Sequence, residues 1–362
     1  MTAAAAAAAA AAIRMQAASR MESPLRSSTR SSSSSSSSVD FMEQNWLQSR
    51  RPVWMVYGVI NEGHKGSVRS IAFDPSNSWF CTGSADSTIK IWDVSNGTLM
   101  LTLREHSGQI RALAVSPQQQ YMFSAGEDKQ VNCWDLEHNK VIHSYRGHLD
   151  AVHCLALHSS LDNVLLTGGA DSVCRVWDIR KKTSIRVLSG HNDTVSSILT
   201  PPTDPQVVTG SYDRTMKYWD LRNGSTMTTL THHRNPVRAM AQHPKEQHCF
   251  VSASSDNVKK FNLPPKGGFL HNYRLSHQQK SVINTIAVNQ FDVMATAGDN
   301  GSLWFWDWKT GYKIQHEQTF PQPGSLDSES AIYALSFDIT GSSLVTCHAD
   351  KTITLWKRRF QT

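Results

Sequence analysis

Short runs of alternating apolar and polar residues recur from Val53 to Trp356. A period of two marks half-buried strands. One stretch illustrates the pattern. Val68 to Phe73 alternates, and Asp74-Pro75-Ser76-Asn77 breaks it. Trp79 to Ser84 is a second run, closed by Ala85-Asp86-Ser87. Thr88 to Trp92 is a third, and Asn96-Gly97 turns the chain into Leu99 to Leu103. β-branched and aromatic runs separated by Gly, Asn, Asp and Pro predict four strands joined by tight turns.

The unit repeats. A His opens each of six copies, at His64, His106, His148, His191, His233 and His277, with spacings of 42, 42, 43, 42 and 44. Trp-Asp closes the third strand at Trp92, Trp134, Trp177, Trp219 and Trp306, and unit five has Phe261-Asn262 instead. This is the period of a four-stranded propeller blade. A seventh unit follows from Ile332 to Trp356, without an opening His and without a fourth strand. The run Val53 to Ile60 belongs to no unit and is expected to supply that outer strand, closing the ring. The fold class expected is all-β: a seven-bladed WD-repeat propeller over 53–362, with units opening near 63, 105, 147, 190, 232, 276 and 324.

The recurring polar residues suit a buried chain of hydrogen bonds. Asp86, Asp128, Asp171, Asp213, Asp256, Asp299 and Asp350 recur with the His and Trp residues. An Asp can accept from the His ring, the His can reach a Ser or Thr hydroxyl, and the hydroxyl can accept from the Trp indole. Structural chains are expected at His64/Asp86/Trp92, His106/Asp128/Trp134, His148/Asp171/Trp177 and His191/Asp213/Trp219. Ser, His and Asp also build hydrolase triads. A catalytic site needs one copy, not seven at equal spacing, and no GxSxG, Walker-type loop or HExxH is present. No enzyme activity, cofactor or metal is expected. The six cysteines include no CxxC pair, which argues against a zinc site.

Composition adds a separate first segment. Residues 3–12 are all Ala and 31–38 all Ser, with Arg14, Arg20, Arg26 and Arg30 between them. Residues 1–52 read as a low-complexity disordered tail. An organelle transit peptide, or a start set too early before Met21 or Met42, also fits. Net charge is +6 over 362 residues, too weak a field to identify a partner. No apolar run reaches the length of a membrane span, so no membrane partner is expected.

The stretches Gly126 to Lys129, Cys133 to Glu137, Thr231 to His233 with Val237-Arg238-Ala239, Asp299 to Gly301, Trp306 to Tyr312 and Pro323 to Ser330 narrow the reading. Over about residues 53–357 the chain resembles the pleiotropic regulator family of spliceosomal WD-repeat proteins, part of the NineTeen-associated complex. Residues 1–52 do not resemble the family's long amino-terminal region, no stretch of this sequence resembles its basic carboxy-terminal extension, and Ser67 stands where a Trp is usual. The resemblance implies a nuclear scaffold for pre-mRNA splicing, with spliceosomal proteins as partners, RNA contact indirect or weak, and a monomer within a larger complex.

Two candidate surfaces remain. By alternation, Arg69, Arg111, His153, Ser196, Arg238, Asn284 and Tyr333 should face the central mouth. Either the arginines pair with nearby Asp residues, or Arg69, Arg111, His153, Arg238 and Tyr333 clamp an acidic peptide or a phosphate. The tetrapeptides ending in Arg180 and Arg222 form WDxR boxes, similar to those in substrate receptors of cullin-type ubiquitin ligases. A ligase adaptor is the alternative partner.

Overall fold

The computed structural model describes residues 53–118, 120–202, 206–255, 257–263, 268–273 and 281–359. The expected amino-terminal tail, His277 and Asp256 lie outside them.

Seven antiparallel four-stranded sheets form the blades of a propeller. Blade one consists of Val68–Phe73, Trp79–Ser84, Ile89–Asp93 and Leu99–Leu103, from the axis outward. The inner strands of the other blades are Ile110–Val115, Val152–Leu157, Val195–Leu199, Val237–Gln242, Ile283–Val288 and Ile332–Phe337. Each inner strand packs beside the next, and Ile332–Phe337 returns to Val68–Phe73. The all-β seven-bladed expectation therefore holds.

The outer strand of blade seven is Val53–Ile60, paired antiparallel with Ile353–Arg359 from opposite Arg359 to opposite Ile353. A second tie runs from blade six. The Gln315 amide accepts from the Trp54 backbone N–H at 2.8 Å and donates to its carbonyl at 2.7 Å. The Trp54 ring stacks on Phe305, with centroids 5.3 Å apart.

The apolar cores lie between neighbouring blades. One gathers Leu166, Val176, Val195, Val207 and Trp219 from blades three and four. Another joins Val345 and Leu355 of blade seven to Val68, Phe80 and Trp92 of blade one, so the seam at the ring's closure is packed like the others.

Among the described residues, four blades carry a complete polar chain. In blade four, His191 Nδ1 lies 2.8 Å from Asp213 and its Nε2 2.7 Å from Thr209 Oγ1, which accepts from Trp219 Nε1 at 2.7 Å. Blades one, two and three repeat it through Thr82, Ser124 and Thr167. With the proton on Nδ1, one direction of donation satisfies every group in the chain.

The other blades vary the theme. Blade five keeps the His233–Ser252 contact at 2.6 Å, but Phe261 has no indole to donate. Blade six keeps the bond from Trp306 to Thr296 at 2.9 Å. Blade seven has no opening His. Its Thr346 accepts from Trp356 at 3.0 Å, and His348, two residues further along the same strand, lies 2.9 Å from that hydroxyl. Burial pushes the His348 ring below the ordinary imidazole range, against the pull of Asp350.

Blades five and six share a polar clamp on the face opposite the opening His residues. Trp308 Nε1 donates to Glu246 at 2.7 Å, and the Lys260 ammonium sits 4.0 Å over the Trp308 ring. His243 reaches Asp292 at 3.1 Å. These contacts bridge blades five and six.

Thr209→Val is expected to orphan Trp219 Nε1 and His191 Nε2 together and to destabilise the fold by about 2–4 kcal/mol, read from urea unfolding. A pH dependence follows as well. Burial raises the Asp86, Asp128, Asp171 and Asp213 carboxyls, but donation from their His partners and from backbone N–H groups outweighs it, and all four lie below the ordinary carboxylate range. Their stabilisation is present above the unfolded value of about 4 and is lost as pH falls through it toward the lower folded values. The urea midpoint should decline below about pH 5, and less steeply in Asp213→Asn.

Candidate functional site

In each inner strand the first residue and the third pair with consecutive residues of the second strand, and the residue between them is skipped. The register slips between Val68 and Ser70, Ile110 and Ala112, Val152 and Cys154, and Val195 and Ser197. It slips again between Val237 and Ala239, Ile283 and Thr285, and Ile332 and Ala334. The residues left out of the ladder are Arg69, Arg111, His153, Ser196, Arg238, Asn284 and Tyr333. These are the mouth candidates, but simple alternation is not what sets them apart. A β-bulge repeated seven times frees each from pairing and re-aims its side chain.

The seven do not act alike. On blades seven, one, two and three, the ring of Tyr333 carries the Arg69 guanidinium 4.5 Å from its centroid. Arg111 pairs with the Glu127 carboxylate, its Nε donating at 3.0 Å. Its partner is thus a Glu on the turn of its own blade, not an Asp. Arg69 has no carboxylate partner among the described residues, and its Nε is buried without a hydrogen bond. Burial, then the field of Arg111, lowers its pKa. Burial and Arg111 likewise push His153 below the ordinary imidazole range.

The remaining three stand apart. Arg238 donates to Asn284 Oδ1 at 3.0 Å and lies over the Tyr212 ring. Asn284 donates onward to Asp299 and to the Ile332 carbonyl. The Ser196 hydroxyl lies 2.6 Å from the Val237 carbonyl and 3.1 Å from that of Gly210, and so ties blade four to blade five. The skipped positions therefore fall into one arc of partly desolvated positive charge and one arc of internal hydrogen bonds.

Because the strands of a blade alternate in direction, the opening loops and the turns bearing the repeated Asp residues share one face with the mouth. Arg180 and Arg222 lie on the opposite face, on the turns between third and outer strands, and both are exposed. The Arg222 carbonyl accepts from Arg186 Nη2 at 2.5 Å, which links blades three and four at that rim. Among the described residues no group of three or more His, Cys, Asp or Glu side chains is placed to hold a metal ion, and no helix is long and apolar enough to cross a membrane.

Seven blades with an inner bulge and a His–Asp–hydroxyl–Trp chain define a WD-repeat propeller, and the WD domain, G-beta repeat model matches residues 57–93, 97–135, 139–178, 182–220, 224–259 and 318–357. Between the last two matches lies the sheet of blade six, built like the rest. Among curated proteins, Arabidopsis thaliana protein pleiotropic regulator PRL2 is 59% identical over 304 residues, covering 84% of this chain and 62% of the relative. Human pleiotropic regulator 1 is 52% identical over 306 residues, covering 84% and 58%. The Debaryomyces hansenii pre-mRNA-splicing factor PRP46 is 43% identical over 309 residues, covering 84% and 73%. The chain belongs to the pleiotropic regulator family of WD-repeat proteins. It spans about three fifths of the length of the Arabidopsis and human relatives.

His153 should titrate below the ordinary imidazole range in an NMR pH series, and Arg111→Gln should move its midpoint upward, because the repelling charge is removed and Glu127 is released.

Proposed function

We propose that this chain is a nuclear protein-interaction scaffold that supports pre-mRNA splicing, within the NineTeen-associated complex, and that it acts through binding rather than chemistry. The observation that carries the reading is alignment over most of the propeller with a relative named as a pre-mRNA-splicing factor. In this reading spliceosomal proteins are the partners, and Tyr333, Arg69, Arg111 and His153 form the part of the mouth that meets them. Arg69 is suited to an acidic or phosphorylated segment, since it is held by an aromatic ring and has no carboxylate of its own. Arg238, bonded to Asn284, contributes from the other arc. The ligase-adaptor reading rests on the exposure of Arg180 and Arg222, and no further observation favours it.

The test is affinity purification of the tagged chain from nuclear extract with mass spectrometry, alongside a variant carrying Arg69→Gln, Arg111→Gln and Arg238→Gln. Splicing factors should dominate the wild-type sample and fall several-fold with the variant, while its melting temperature stays within a few degrees. Dominance of ligase subunits or organelle proteins would overturn the reading. Undiminished capture of splicing factors by the variant would remove the mouth from it.

A further inference from the structure

Outside the mouth, on the same face, a cleft of about 330 Å³ opens on blade one. Lys65 lines it from the loop that enters the blade, Lys90 from the third strand, and Arg104 from the chain leaving for blade two. Lys90 is 8% exposed, and its ammonium donates to Thr102 Oγ1 at 3.0 Å. Burial pulls its pKa below the ordinary lysine range, Asp86 opposes that, and Arg104 and Lys65 add to it, so the three cations share one concavity.

None of the three forms an ion pair among the described residues. The one carboxylate among the described lining residues, Asp86, is already committed. It accepts from His64 Nδ1 and the Lys65 N–H on one oxygen, and from the Thr88 N–H and hydroxyl on the other. Three cations against one carboxylate leave the cleft with an excess of positive charge.

We propose that this cleft binds a phosphomonoester, the phosphorylated Ser or Thr side chain of a partner protein. Such a group brings nearly two negative charges and three acceptor oxygens to one point, which matches two ammonium groups and a forked guanidinium converging on a small concavity. A nucleic-acid backbone fits less well. It offers one charge per residue along an extended track, and single strands are held by aromatic faces on which bases stack. No Phe, Tyr or Trp lines this cleft, and His106 has both ring nitrogens engaged within its own blade.

The repeat supplies an internal comparison. In blade four, Lys217 holds the strand position of Lys90 and donates to Thr229 Oγ1 at the same 3.0 Å. Asn192 and Thr231 stand there in place of Lys65 and Arg104, and Arg214 in place of Ser87, so two of the three cations of blade one have no counterpart. The proposal rests neither on the splicing reading nor on the mouth.

The experiment uses the full chain and fluorescence anisotropy at physiological salt, with a short labelled Gly/Ser peptide carrying one phosphoserine. Binding should be about tenfold tighter than to the same peptide unphosphorylated. Lys90→Met and Arg104→Gln should each weaken it about three- to tenfold, and Lys217→Met should leave it unchanged. Arg104 is exposed, so its variant keeps the test decisive if Lys90→Met fails to fold. Equal affinity for the unphosphorylated peptide would overturn the proposal, as would equal loss with Lys217→Met. Tighter binding of a labelled oligouridylate, abolished by Arg104→Gln, would assign the cleft to RNA instead.

Discussion

A ring of sheets is sound only when its last gap is filled, and here that gap is filled by pairing Val53–Ile60 with Ile353–Arg359. A propeller has no central core to fall back on. Each apolar cluster is made by two neighbouring blades, so a missing strand at one seam would expose the cluster on either side. The bonds between Gln315 and the Trp54 backbone, and the stack of Trp54 on Phe305, show the seam held from blade six as well as blade seven. The apolar strand that begins the ring must also wait, during synthesis, for nearly the whole domain to emerge before its partner exists.

Inside the blades, a single arrangement of four polar groups does two jobs. It satisfies buried donors and acceptors, and it ties the loop that enters each blade to the second and third strands. Among the described residues, blades five and seven depart from it in different ways. Phe261 removes the indole and stacks on Phe250. His348 approaches the same hydroxyl from within the strand. Between blades five and six, Trp308, Glu246, Lys260 and His243 tie the two blades together from the far face.

The propeller was legible in the sequence because its signals are local and repeated: His64 to Asp86 to Trp92, then the same again. The substitution of Phe261-Asn262 was legible as well. The role of His348 was not, since it lies on a strand rather than in an opening loop, and no spacing marks it. The bulge is not legible because alternation and a skipped pair nominate the same residue, Arg69 or Arg111, for different reasons. The split of the skipped residues into two arcs depends on Glu127, Tyr212 and Asp299, whose reach to their partners across strands no local spacing reports. Lys65, Lys90 and Arg104 converge only because an entry loop, a third strand and an exit strand end at one rim.

The skipped residue of each inner strand makes no ladder bond, so its identity is not constrained by register or by core volume. Seven such sites encircle one axis, and this chain fills them with Arg, Arg, His, Ser, Arg, Asn and Tyr. Where such a residue does not tie one blade to the next, as Ser196 and Asn284 do, its change leaves the ladder and the core untouched. The inner strands thus separate what holds the ring together from what varies around its axis.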